Sequence, residues 1–120
     1  MGPAELLKWQ WDGYPRYHQS RTNLLLHIVV VPLFLAGNVA LVVGLVGGSL
    51  LGAGLGAMAM VASAALQGAG HRAEPVPPEP FTSRSNAVAR LFLEQWINFP
   101  RFVLSGKWLR ALRQSHGQAR

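Results

Sequence analysis

The stretch that decides the fold is YHQSRTNLLLHIVVVP, residues 17–32, in which two histidines precede and enter a long apolar run. From Thr22 to Gly70 the chain contains no Asp, Glu, Lys or Arg, and His27 is the only ionisable side chain. A run of this length is enough for two membrane crossings of about 20 residues each. We therefore predict an all-α membrane protein built on a two-span transmembrane helical hairpin, with amphipathic interfacial helices at both ends.

The overall composition agrees with this interpretation. Only 13% of the 120 residues are charged, against roughly a quarter in a typical soluble domain. The apolar run begins too far from the N-terminus, and is too long, for a cleaved signal peptide. Because the chain has no cysteine, any metal site must use nitrogen and oxygen ligands.

The uncharged run divides into two predicted spans, about residues 24–46 and 50–67 of a single membrane domain that covers residues 1–120. A turn at residues 47–49 separates them. Asn38 lies near the middle of the first span, where its amide must find a hydrogen-bond partner. Small residues at every fourth position permit close approach of helices, within one chain or between the copies of a homo-oligomer. They are Gly44, Gly48, Gly52 and Gly56.

Amphipathic segments flank the two spans. Residues 2–12 predict a short helix at the head-group layer, and residues 71–83, with four prolines, predict an extended connection. Residues 84–113 predict interfacial amphipathic helices divided near Pro100, because apolar residues recur there at helical spacing. The polar side of this last segment contains Arg90, Glu94, Asn98 and Arg101.

The distribution of basic residues predicts the topology. The formal charge of +6 comes from the two ends of the chain. Basic residues stay on the cytoplasmic side of a membrane, so both termini are expected in the cytoplasm. A basic chain can also bind nucleic acid, but no nucleic-acid motif is present. We therefore expect contact with anionic membrane lipids and none with nucleic acid.

Three of the four histidines lie close to the predicted cytoplasmic ends of the spans. His18 and His27 flank the start of the first span, and His71 and Glu74 follow the end of the second. A hairpin brings these ends together, and imidazole with carboxylate suits first-row divalent metals. His18 and His27 are nine residues apart, so they can share a metal only if the chain bends at residues 19–22.

The same spacing is also compatible with interfacial histidines that only bond to nearby backbone carbonyls. Burying an ionisable group inside a membrane segment is costly, which favours a functional role for His27. The residues alone leave both alternatives open. His116, in the C-terminal tail, is expected to play no part.

Three blocks of the chain resemble the 2-hydroxy fatty acid dioxygenase family, as a bacterial-type member. They are YPRYHQSRTNLLLHIVVVP (residues 14–32), GHRAEPVPPEPF (residues 70–81) and EQWINFPRFVLSGKW (residues 94–108). The resemblance implies a membrane enzyme that uses non-haem Fe(II) and dioxygen. It also implies a location in a bacterial inner membrane or, in a eukaryote, in the endoplasmic reticulum. Its expected reaction, α-oxidation, converts a 2-hydroxy fatty acid into carbon dioxide and a fatty acid one carbon shorter.

The resemblance also implies roles for particular residues. The implied metal ligands are His18, His27, His71 and Glu74, the last as a ligand or a supporting carboxylate that also serves catalysis. Asn23 is expected to orient a ligand or to bond a substrate oxygen. The candidate substrate contacts are Tyr17, Arg21 and Arg72. The acyl chain is expected to lie between the two spans.

Two other functions stay open at this point. One is a non-catalytic membrane protein that packs through its Gly-rich hairpin. The other is a metal-dependent lipid enzyme of another reaction type, such as a hydrolase.

Overall fold

The structure, a computed structural model, describes residues 1–115, and every regular element within that range is a helix. His116 lies outside the described residues. The elements are α1 (Pro3–Tyr17), α2 (Arg21–Val46), α3 (Leu50–His71), α4 (Arg84–Leu93), a π-helical segment (Glu94–Asn98), α5 (Phe99–Leu104) and α6 (Lys107–Gln114). Helices α2 and α3 are long and apolar enough to cross a membrane. This confirms the prediction of an all-helical chain with two such helices.

Helices α2 and α3 pack closely against each other around the turn at residues 47–49. Gly48 takes a left-handed conformation with φ of +74°, which glycine adopts without strain. The hydroxyl of Ser49 then caps α3 by accepting from the Gly52 N–H at 3.0 Å. Further along, a Cβ added at Gly56 would lie 2.6 Å from the Gly37 carbonyl oxygen. Only glycine at these positions lets the two backbones come so close.

The other helices fold over the end of the pair that contains Arg21 and His71. The buried core there is formed by Tyr14, Leu24, Val31, Phe99 and Phe102. The indole N–H of Trp108 in α6 donates to the Leu24 carbonyl at 3.0 Å. Helix α1 runs to Tyr17, beyond the predicted end at residue 12, because Tyr14 is held in this core although Pro15 removes one helical hydrogen bond.

The segment formed by α4 and the π-helical turn has its polar side toward the protein. Gln95 and Asn98 are fully buried, whereas Trp96 is 46% exposed. Gln95 exchanges two side-chain hydrogen bonds, of 2.7 and 2.8 Å, with Gln67 of α3. Trp96 donates its indole N–H to the Asn38 amide oxygen at 3.2 Å. The amide of Asn38, near the middle of α2, thus has a hydrogen-bond partner in the π-helical segment.

The π-helical segment precedes Pro100, which explains its geometry. The Phe99 N–H donates to the Glu94 carbonyl, five residues earlier. In a regular α-helix the proline ring would clash with the carbonyl four residues back, and a wider turn relieves that clash. The division of the C-terminal segment predicted at Pro100 takes this form, and it places Glu94 and Gln95 on the inner side of the turn.

Candidate metal centre

Three histidines from separate parts of the chain meet at the covered end of the α2–α3 pair. His18 lies in the bend between α1 and α2, His27 in the second turn of α2, and His71 at the end of α3. The ring centroids are 4.9–5.2 Å apart and the ring planes cross at 80–89°. One nitrogen of each ring and a carboxylate oxygen of Glu94 lie within 4.8 Å of one another. We call these four residues the histidine–glutamate group.

Backbone carbonyls determine which nitrogen of two of these rings carries a proton. Nδ1 of His18 lies 2.8 Å from the Tyr14 carbonyl oxygen, and Nδ1 of His27 lies 3.0 Å from that of Asn23. Because a carbonyl only accepts, each neutral ring carries its proton on Nδ1 and its lone pair on Nε2. This is how histidine ligands of metals are commonly oriented.

The nitrogens that face the centre of the group have no other use in the described structure. Nε2 of His18, Nε2 of His27 and Nδ1 of His71 are buried without a hydrogen-bond partner among residues 1–115. A buried polar atom left without a partner is destabilising, so three in one place call for a ligand.

The distances also suit a single ion. Nε2 of His18 lies 3.4 Å from Oε2 of Glu94, and Nε2 of His27 lies 3.8 Å from the same oxygen. Two donors bound to one ion at about 2.1 Å are about 3–3.4 Å apart for angles between 90° and tetrahedral. The His18 distance falls in this range, and the wider separations, of up to 4.8 Å within the group, must shorten when an ion binds. The donor set itself suits a first-row divalent metal.

Tyr14 ties two members of the group together. Its hydroxyl donates to Oε2 of Glu94 at 2.8 Å. Its ring stacks on His18 with centroids 3.8 Å apart. Its carbonyl oxygen also lies within hydrogen-bond distance of Nδ1 of His18, so Tyr14 makes three contacts with these two residues.

The electrostatics of the pair Tyr14 and Glu94 are set by this contact and by the imidazoles. Burial raises the pKa of Glu94, but His18, followed by His27 and His71, outweighs burial when the imidazoles are protonated and lowers the pKa to about 2. Burial and the neighbouring Glu94 charge raise the pKa of Tyr14 well above its usual value. The Tyr14 phenol therefore keeps the proton that it donates to Glu94.

Glu74 and Asn23 lie beside the histidine–glutamate group, and Glu74 is not a member of it. The Glu74 carboxylate accepts from the backbone N–H groups of Gln19 and Ser20, at 2.7 and 3.0 Å. It also accepts from the Asn23 side chain at 2.8 Å. Glu74 thus holds the bend that carries His18, and Asn23 links it to His27. The carboxylate that meets the three histidines is Glu94.

The three candidate substrate contacts lie in different surroundings. Tyr17 lines a cavity of about 870 Å³ that also reaches His18, His71 and Glu94. Arg21 donates instead to the Leu112 carbonyl at 3.3 Å. Arg72 is exposed and does not line this cavity. The arginines that do line it are Arg16 and Arg90.

Comparisons with known proteins found no relative of this chain. The chain matches no protein-family model, no curated protein and no solved structure. The resemblance to the dioxygenase family therefore stays a prediction. The geometry of the histidine–glutamate group stands independently of it.

Proposed function

We propose that this chain is an integral membrane enzyme, with the α2–α3 pair crossing the bilayer as a hairpin. In the most apolar windows of these helices only 28% and 22% of the residues are buried. Large apolar side chains near the turn point outward, with Val46 85% and Leu51 75% exposed. The core helix of a soluble domain would bury these side chains, whereas a bilayer covers them. The positive-inside rule then places both termini in the cytoplasm.

We propose further that His18, His27, His71 and Glu94 hold one iron(II) ion. The observation that carries this proposal is the set of buried, unpartnered imidazole nitrogens facing one carboxylate. Nitrogen and oxygen ligands suit several first-row ions, and the resemblance to the dioxygenase family favours iron. When bound, iron(II) supplies the redox chemistry that dioxygen activation needs.

The reaction that we propose is oxidative shortening of a 2-hydroxy fatty acid by one carbon. A 2-hydroxy acid, R–CH(OH)–COOH, and one O2 give R–COOH, CO2 and H2O. The bond between the carboxyl carbon and the hydroxylated carbon breaks, and dioxygen takes up all four electrons. No further reductant is required.

The residues around the group prepare the site for this chemistry. The carbonyls of Tyr14 and Asn23 keep the His18 and His27 lone pairs directed inward. The Tyr14 hydroxyl holds Glu94 in place. Two aromatic rings shield the imidazoles from water on one side. Measured between centroids, Phe99 lies 5.8 Å from the His27 ring and Phe102 lies 6.2 Å from the His18 ring.

Oxygen uptake by the purified protein tests this function. The detergent-solubilised chain, loaded anaerobically with iron(II), is mixed with 2-hydroxy fatty acids, and the products are identified by mass spectrometry. We expect one O2 consumed and one shortened fatty acid formed per substrate, with no reaction of the matching fatty acid that lacks the hydroxyl. The His27→Ala variant is expected to be inactive. Absence of oxygen uptake by iron-loaded wild type would overturn the proposal and favour a hydrolytic or non-catalytic role.

A further inference from the structure

We propose that the cavity between α1, α3 and α4 binds the acyl chain of the substrate, and that Ala64 and Gly68 of α3 limit the chain length that it admits. This rests on the proposed function, because the polar end of the ligand is placed at the histidine–glutamate group. The cavity has a volume of about 870 Å³, within the range usual for small-molecule sites.

The cavity lining combines polar groups with an apolar wall. His71 and Glu94 of the histidine–glutamate group belong to it, and the other polar side chains include Gln10, Asp12 and Glu79. The apolar wall is formed by small and apolar residues of α3 and α4 together with Trp9 and Phe81. These α3 and α4 residues are Ala64, Gly68, Ala87, Val88 and Leu91. A lining of this kind can contact both the polar head and the hydrocarbon tail of a fatty acid.

The space between α2 and α3 is not available to a hydrocarbon chain. A Cβ added at Gly37 would lie 2.7 Å from the Gly56 carbonyl oxygen, so the two backbones are already in contact. No acyl chain fits between α2 and α3 at this contact, so we place the chain outside the pair. The cavity on the outer side of α3, in contrast, touches both an apolar wall and three of the proposed metal ligands, His18, His71 and Glu94.

Charge and exposure indicate how a fatty acid would sit in this cavity. Arg16 and Arg90 line it together with Asp12, Glu79 and Glu94, so these two arginines are the basic side chains of the lining that can pair with a carboxylate. Arg90 is held in place by its bonds to the Glu79 and Pro80 carbonyls, at 2.8 and 3.1 Å. Gly68 is exposed, so the cavity opens beside α3. In a membrane this opening faces lipid, which gives a fatty acid access from the bilayer.

Gly68 is the residue at which this proposal can be tested most cleanly. A Cβ added there meets no atom of the described residues within 4 Å. A larger side chain at residue 68 therefore has room to occupy part of the cavity that Gly68 lines, without displacing a neighbour. Ala64 lies one helical turn further from His71 than Gly68 does, about 10 Å from His71 along the axis of α3. A larger residue at either position is expected to exclude the end of a long chain.

The experiment measures binding and turnover of a series of saturated and 2-hydroxy fatty acids of increasing chain length. The variants are Gly68→Leu and Ala64→Leu, with Gly54→Leu as the matched control. Gly54 lies on the same helix, does not line the cavity, and also has no atom of the described residues within 4 Å of an added Cβ. Thermal unfolding and iron content show that each variant is folded and retains the metal.

We expect Ala64→Leu to weaken binding of the longest acids at least about tenfold, which is the effect of about one methylene group in an apolar pocket. Gly68→Leu, one helical turn closer to His71, should also weaken binding of acids of intermediate length. The shortest acids should bind as to wild type, and Gly54→Leu should change nothing. A folded Gly68→Leu variant with an unchanged chain-length profile would overturn the proposal, even if the enzyme oxidises 2-hydroxy acids. Altered binding of saturated acids without any oxidation by wild type would support the cavity and refute the reaction.

Discussion

The two ends of the α2–α3 pair contrast in what their side chains contact. At the end near the turn, Val46 and Leu51 are exposed, and the helices approach each other closely at glycine. At the other end, His27 and Asn23 are fully buried beneath α1, α5 and α6. We call these the turn end and the histidine end.

This contrast separates the part of the molecule proposed to enter the bilayer from the part proposed to do chemistry. A bare pair of apolar helices needs close backbone contact, because lipid provides no hydrophobic force to hold the helices together. The histidine end contains polar groups that would be costly in lipid, and it is covered by the rest of the chain. The predictions below probe each end, beginning with the largest expected effect.

The close packing of α2 against α3 depends on glycine at the positions where the two backbones are in contact. Gly56→Val places a branched side chain against the Gly37 carbonyl and should lower the free energy of unfolding by about 3 kcal/mol. Gly54→Val, on the same helix but with open space around an added Cβ, should have almost no effect. Thermal unfolding in detergent measures both. Equal destabilisation by the two variants would contradict the glycine contact.

At the histidine end, Glu94 should contribute more to iron binding than Glu74 does. Glu94→Gln removes a proposed ligand and should weaken iron binding at least about 100-fold, or about 2.8 kcal/mol. Glu74→Gln changes only the hydrogen bonds to Asn23 and to the bend at residues 19 and 20, so iron binding should weaken only about tenfold. Metal competition titrations give both values. The reverse order would restore Glu74 as the ligand.

Loss of the hydrogen bond from Tyr14 to Glu94 should weaken iron binding less than loss of Glu94 itself. Tyr14→Phe keeps the stacking on His18 and loses the 2.8 Å hydrogen bond to Glu94. Iron affinity should fall about tenfold, or about 1.4 kcal/mol. Tyr17→Phe, whose hydroxyl has only a 3.4 Å contact with Glu79, is the control and should bind iron normally. If both variants bind iron like wild type, Tyr14 does not position the carboxylate.

The smallest effect is expected where α6 meets α2. Trp108→Phe removes the hydrogen bond to the Leu24 carbonyl and should cost about 1 kcal/mol of unfolding free energy. Iron affinity should be unchanged, because Trp108 does not touch the histidine–glutamate group. A loss of iron in this variant would show that the covering helices and the metal site are coupled more tightly than the contacts suggest.

The fold can be predicted from the sequence as far as simple patterns reach. The uncharged run from Thr22 to Gly70 predicts the two apolar helices, and the glycines at residues 47 and 48 predict the turn between them. The same patterns predict that α1 ends at residue 12, whereas it continues to Tyr17. Its last turn is held by the contact of Tyr14 with the core, which no local pattern in residues 2–17 reveals.

The site can be predicted in part. The two ends of a hairpin meet, so the sequence indicates that His18, His27 and His71 share one location. Glu94 escapes prediction because it lies 80 residues from its partner Tyr14 and resembles any charge on the polar side of an amphipathic helix. The available signal is Pro100, whose distortion of the preceding turn aims Glu94 inward. Glu74 is the easier prediction because it is close to His71 in sequence.

Metal analysis of the freshly purified protein tests the central claim most directly. Wild type is compared with the single variants His18→Ala, His27→Ala and His71→Ala, and with His116→Ala as the control histidine. We predict close to one iron per chain in wild type and in His116→Ala, and loss of iron in the other three. Wild type that binds no divalent metal, even after anaerobic loading with iron(II), would contradict the account and leave a membrane hairpin with buried histidines.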